Sequence, residues 1–186
     1  VQTPDGAVEY GGEAQIDGVP GSAAPVALQF MATVGGITGA FLPTGQVKDE
    51  FDGIPVTCMD VAMPMVLARA EDFGLTGYES AADLDANTDF FARMEKVRLA
   101  AGQAMGMGDV SKSVTPKFGL LAPAKDGGTI ATRYFMPWRA HPTMAVTGRW
   151  VGANVAPHCA GRADDPQVVG VNERASSQPP PVIPGR

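Results

Sequence analysis

Apolar and polar positions change their period twice along this chain. From Ala24 to Thr33 they alternate, with Val26, Leu28 and Phe30 on one side and Ala27 and Gln29 on the other. That is the period of a strand. Ala7–Tyr10 and Ala14–Ile16 predict two shorter strands that turn at Gly11-Gly12 and pair with each other. Beyond the Gly35-Gly36 turn, Ile37–Phe41, Val56–Val61 and Met65–Ala68 read as further short apolar segments. The period then lengthens. Phe90, Phe91, Met94, Val97, Ala101 and Ala104 recur at helical spacing, with Arg93, Glu95, Lys96 and Arg98 mostly on other faces, and this predicts a helix over Thr88–Ala104. Thr88 is its expected N-cap and Asp89 suits the positive end of its dipole. A shorter helical turn is expected at Ala81–Ala86, capped by Ser80. Pro116–Ala122 and Thr129–Phe135 return to strand character, and the Lys125–Gly128 turn between them predicts a hairpin. Strands, one good helix and a hairpin point to an α+β fold rather than a repeating βαβ array.

Composition narrows the function classes. With 186 residues, 45% hydrophobic and 18% charged, the chain is long enough for a core and too apolar for wholesale disorder. Its net charge of −6 argues against a nucleic-acid partner. The absence of a long apolar run argues against a membrane span. Two cysteines, Cys58 and Cys159, and two histidines, His141 and His158, make neither a disulfide framework nor a familiar metal motif, so no cofactor is expected. The chain opens at Val1 without a signal-peptide pattern, as a processed product or a fragment would. From about Asp164 the composition shifts to Asp, Gln, Ser, Arg and Pro, and 162–186 reads as an extended, disordered tail. Such a tail is either an inert linker or a proline-rich ligand.

Three loops place a hydroxyl beside glycine: Asp17–Ala24, with Gly21 and Ser22; Leu42–Gly45, with Thr44 and Gly45; and Val146–Gly148, with Thr147 and Gly148. Loops of this kind expose N–H groups and admit an anion closely, and a helix starting at Thr147-Gly148 would offer its N-terminus to a carboxylate. Ordinary turn chemistry accounts for each loop equally well. The cationic candidates are Lys117, Arg133, Arg139 and His141. His141 is either a proton-transfer group or a satisfied loop histidine. Cys58 in its apolar run, and the methionines after the long helix, read as core filler.

The motifs in order resemble the PrpF/4-oxalomesaconate tautomerase family. They are Val8-Glu9-Tyr10, Ile16–Pro25, Leu42–Gly45, Val56–Asp60 with Met63-Pro64, Ala70–Glu79, Gly108–Ser111, Pro116-Lys117, Gly127–Thr129 with Arg133, His141, and Thr147-Gly148. Each is weakly specific alone; the ordered set from about residue 5 to 148 is specific, and the tautomerase branch is nearer than the methylaconitate branch.

The resemblance implies a diaminopimelate epimerase-like fold, two α+β lobes with the active site between them, and a cofactor-independent keto–enol proton shift on a tricarboxylate from aromatic-acid breakdown. On that basis 1–30 is the end of a first lobe and the crossover, and 31–161 is part of a second lobe. Gly21, Ser22, Thr44, Gly45, Arg133, His141, Thr147 and Gly148 are the expected substrate-binding residues, and no catalytic acid or base is expected in this chain. The family's lysine-bearing Gly-rich strand and its Cys-Gly-Asn loop have no match here, and the likeness stops after Gly148, as a truncated gene or a frame slip would produce. Alternatives left open are an aconitate or methylaconitate isomerase and a non-catalytic polycarboxylate-binding remnant. The expected partner is a small tricarboxylate, with a homodimer as the expected assembly and the cytoplasm as the expected location.

Overall fold

The structure, a computed structural model, describes residues 2–15, 19–26, 34–125 and 130–142. Most of the 24–33 segment, the turn at 126–129, Thr147, Gly148 and the tail from 162 lie outside the described residues.

A five-stranded mixed sheet forms in the order β1 (Asp49–Phe51), β2 (Ile54–Val61), β3 (Met63–Arg69), β4 (Lys117–Pro123) and β5 (Ile130–Phe135). β2 and β3 pair antiparallel around Ala62, with Cys58 opposite Val66. β3 and β4 run parallel, with Val66 opposite Phe118. The crossover between them carries a 3-10 turn at Ala70–Phe73 and two helices, α1 (Ala81–Ala86) and α2 (Thr88–Ala104). β4 and β5 form the expected antiparallel hairpin, with Phe118 opposite Phe135. The result is an α+β fold.

Strand alternation sends side chains to two cores. On one face Val56, Cys58, Val66, Ala68, Phe118, Leu120 and Phe135 pack beneath Phe90, Met94, Val97 and Ala101 of α2. On the other, Met59, Val61, Met65, Leu67, Leu121 and Tyr134 are covered by Phe41, Leu42, Met63, Ile130 and Met136. Each fully buried large side chain contributes roughly 1.5–3 kcal/mol. Gly119 is a packing glycine: a side chain there would meet Leu67 and Met65 atoms at 2.7 Å.

α1 starts as its sequence predicts. Ser80 accepts from the Asp83 amide at 3.1 Å, and the Asp83 carboxylate reaches back to Ser80, closing a capping box. Several expectations are corrected. The cap of α2 is Asn87 rather than Thr88, because the Asn87 side chain accepts from the Phe90 amide at 3.0 Å. Arg98 is not on an outer face; it is 0% exposed. Ala7–Tyr10 is not a strand: Ala14 pairs instead with Ala23, through two backbone bonds of 3.1 Å. Ile37–Phe41 likewise forms bends and turns, wound about Asp60.

Candidate functional site

The sites expected from sequence fall on three parts of the fold. Gly21 and Ser22 lie in the exposed loop before Ala23, which pairs with Ala14. Gly21 has φ +84°, a conformation that suits glycine. Thr44 and Gly45 form a turn closed by the Gly45 amide on the Leu42 carbonyl at 2.9 Å. The Thr44 hydroxyl donates to the Asp49 carboxylate at 2.8 Å, so it is already engaged at the β1 edge.

Arg133 and His141 belong to the opposite edge. Arg133 is half-buried on β5, on the face that carries α2. Its Nε donates to the Glu79 carbonyl at 2.8 Å and its Nη1 to the Thr132 carbonyl at 2.9 Å. Nη2 makes no hydrogen bond among the described residues. His141 donates its backbone N–H to the Tyr134 carbonyl at 2.8 Å, and its ring meets the Tyr134 ring edge-on with centroids 5.6 Å apart. Tyr134 belongs to the second core. Arg133 and His141 thus share one strand end but address opposite faces of the sheet. Four inter-strand steps separate β1 from β5, about 19 Å at the usual strand spacing. Thr44 and Arg133 therefore do not converge within this sheet.

Local electrostatics follow the same elements. Burial pushes the Glu79 carboxyl up, yet bonds from the Thr76 amide and hydroxyl, its own N–H and the Gly77 amide outweigh that and hold it below its ordinary value. Since the Glu79 carbonyl anchors Arg133, the acidic turn before α1 fixes the arginine's position. Burial, then the charge of Arg98, lowers the Lys117 ammonium. Arg139 is exposed in the tight turn that brings Ala140 back to Phe135.

The polar groups that sequence reasoning misses lie deeper. Asp60 is 0% exposed on β2 and takes three hydrogen bonds on Oδ2, from the Ile37 and Thr38 amides and the Thr38 hydroxyl. Thr57, beside Cys58 on the same strand, is also buried and donates to the Val47 carbonyl at 2.8 Å. A carboxylate inside an otherwise apolar strand is the available signal for Asp60.

A family model described as PrpF protein matches residues 1–166. The chain belongs to the PrpF family. It is 56% identical over 148 residues to "Putative isomerase YbhH" of Escherichia coli (strain K12), a match covering 80% of this chain and 42% of that protein. It is 48% identical over 148 residues to a (4E)-oxalomesaconate Delta-isomerase of Novosphingobium sp. (strain KA1), with the same coverage of 80% and 42%. The crystal structure of methylitaconate-delta-isomerase matches with a TM-score of 0.73 and 29% identity, over 84% of this chain and 46% of that one. The chain thus spans less than half the length of the curated relatives it matches.

This PrpF-family chain shares the diaminopimelate epimerase-like α+β architecture of that solved neighbour. Its named relatives are isomerases. Among the described residues no three His, Cys, Asp or Glu side chains gather to hold a metal ion. Nor is any described helix long and apolar enough to cross a membrane.

Proposed function

We propose that this chain is part of a cofactor-independent isomerase that interconverts keto and enol forms of 4-oxalomesaconate. The observation that carries the reading is the gradient of identity: 48% over 148 residues to an oxalomesaconate isomerase against 36% over 121 residues to a 3-methylitaconate isomerase. The chemistry asks for a base that removes a proton beside a carbonyl, an acid that returns one elsewhere, and donors that stabilise the enolate between them. The share of this chain in that work is substrate binding. Arg133, held by the Glu79 and Thr132 carbonyls through Nε and Nη1, is the leading carboxylate ligand, with Nη2 as the proposed donor. Thr44 and Gly45, at the opposite edge of the sheet, are an alternative contact, and His141, Gly21, Ser22, Thr147 and Gly148 are the other proposed candidates. The acid and base come from residues beyond these 186, because the family's lysine strand and Cys-Gly-Asn loop have no counterpart in them.

Calorimetry with citrate and a spectrophotometric assay with 4-oxalomesaconate test the reading on the purified chain. Saturable citrate binding without turnover is expected. Turnover by the chain alone would overturn the division of labour, and absence of binding would overturn the assignment of the site. A second reading, an isomerase that shifts a carbon–carbon double bond on a methylated polycarboxylate, draws on the fold shared with methylitaconate-delta-isomerase. Competition between citrate and each candidate substrate separates the two.

A further inference from the structure

Three polar or charged side chains are buried among the described residues: Thr57, Asp60 and Arg98. Arg98 binds the carbonyls of Val110 and Ser113. The other two stand three residues apart on β2, and both grip one stretch of chain, 35–47, on either side of the Leu42–Gly45 turn.

Before the turn, Asp60 is bound through its backbone and its side chain. The Gly35 amide donates to its carbonyl at 2.8 Å, and its own amide donates to the Phe41 carbonyl at 3.0 Å. Its Oδ2 accepts from Ile37 N at 2.9 Å, Thr38 N at 2.7 Å and Thr38 Oγ1 at 2.9 Å. After the turn, Thr57 Oγ1 donates to the Val47 carbonyl at 2.8 Å. The intervening backbone is wound tightly. Gly35 has φ +68°, and a side chain there would meet the Ala40 amide nitrogen at 2.7 Å.

Burying a hydroxyl or a carboxylate in an apolar strand is unfavourable unless its bonds compensate. The β2–β3 ladder needs neither side chain, since its bonds are main-chain, and an apolar residue would serve the sheet as well. Asp60 Oδ1 has no partner among the described residues, and Oδ2 carries the three side-chain bonds, all to Ile37 and Thr38. We infer that Thr57 and Asp60 are positioning residues that fix the Leu42–Gly45 turn from both sides, so that the turn, with the Thr44 hydroxyl held by Asp49 and the Gly45 amide by the Leu42 carbonyl, is presented to a ligand in one orientation. Neither residue touches the ligand. The inference rests on the proposed part of that turn in substrate binding.

Thr57→Val and Asp60→Asn test it in the 186-residue chain. Valine keeps the volume of threonine, and asparagine keeps the size of aspartate but removes the charge that strengthens the bonds from the Ile37 and Thr38 amides. Hydrogen exchange is followed by mass spectrometry alongside calorimetric citrate affinity. In each variant exchange over 35–47 is expected to quicken at least about tenfold while 64–68 and 118–121 keep wild-type protection, which shows that the sheet is folded. Citrate Kd is expected to rise at least about fivefold in the same samples, a readout that a purely structural tether would leave alone. Wild-type exchange over 35–47 in both variants overturns the inference. So does faster exchange with unchanged citrate affinity. Failure of the wild-type chain to bind citrate overturns the proposed function instead, and the exchange result still decides the tether.

Discussion

Arg98 closes on Glu95 one turn earlier in α2, its Nε and Nη2 each 2.7 Å from a carboxylate oxygen, while the arginine side chain is 0% exposed and the glutamate 25%. The same guanidinium donates to the Val110 carbonyl at 3.0 Å and the Ser113 carbonyl at 3.2 Å, fastening the loop between α2 and β4 to the helix. Arg98→Met would leave a half-buried carboxylate and two carbonyls without their donor. Removing one member of a buried pair costs about 3–5 kcal/mol, and because Glu95 can still reach water, a loss near the lower bound, about 3 kcal/mol, is expected. Glu95→Gln keeps an acceptor for the guanidinium and is expected to cost only about 1–2 kcal/mol. Urea denaturation of the two variants checks this asymmetry, and equal losses would contradict it.

Tyr134 is expected to set an alkaline limit on the stability of the fold. Its hydroxyl donates to the Met63 sulfur at 3.7 Å, and burial pushes its ionisation up to about 12. An unfolded tyrosine ionises at about pH 10. Between those values the folded chain keeps a proton that the unfolded chain gives up, so this contribution is full below about pH 10 and is lost as pH rises towards about 12. The loss amounts to about 2–3 kcal/mol. Stability measured by denaturant at stepped pH is expected to fall across that window, and Tyr134→Phe should fall less steeply. Parallel curves for the two proteins would show that Tyr134 does not govern the limit.

The sequence is legible where the signal is local. Ser80 with Asp83 three residues on writes the start of α1, and the apolar spacing from Phe90 to Ala101 writes the buried stripe of α2. The β4–β5 hairpin follows from two apolar runs around a glycine turn. Arg98 is misplaced because charge reads as exposure, although it stands four residues after Met94 and four before Gly102, both buried on the same helix. β1 escapes reading because Asp-Glu-Phe has no period to detect. Ala7–Tyr10 fails for a different reason: pairing is decided by distant partners, and Ala14 finds Ala23. Thr44 and Arg133 are readable as candidate ligands but their separation is not, since strand order places β1 and β5 at opposite edges of the sheet. Nor can spacing alone reveal that the Thr44 hydroxyl is taken by Asp49.

Gly77 should tolerate no side chain. Its φ is +80°, and a Cβ would run into the Cβ of Ala122 and come within 3.2 Å of that of Ala70, both buried. Gly106 has a similar φ of +75° but open space around it. Gly106→Ala is expected to cost about 1 kcal/mol, the conformational part alone. Gly77→Ala adds overpacking of about 1–3 kcal/mol. Thermal melts of the pair isolate the packing component, and comparable losses would place Ala122 and Ala70 further from Gly77 than the fold has them.

Arg133 joins the fold to the proposed chemistry, so its variants should separate the two. Its Nε bond to the Glu79 carbonyl ties the turn before α1 to β5, whereas Nη2 makes no hydrogen bond among the described residues. Arg133→Lys keeps the charge but loses the fork that can hold a main-chain carbonyl and a ligand carboxylate at once. Arg133→Met loses both. A charged hydrogen bond contributes about 1.5–3 kcal/mol, so the methionine variant is expected to bind citrate at least about tenfold more weakly. The lysine variant should fall between methionine and wild type. Stability should drop by only about 1 kcal/mol in either, because the site is half-buried and the Glu79 carbonyl can turn to water. Calorimetry and urea denaturation on the same samples check both halves. A large loss of stability with unchanged citrate affinity would make Arg133 a structural residue and move the carboxylate site elsewhere.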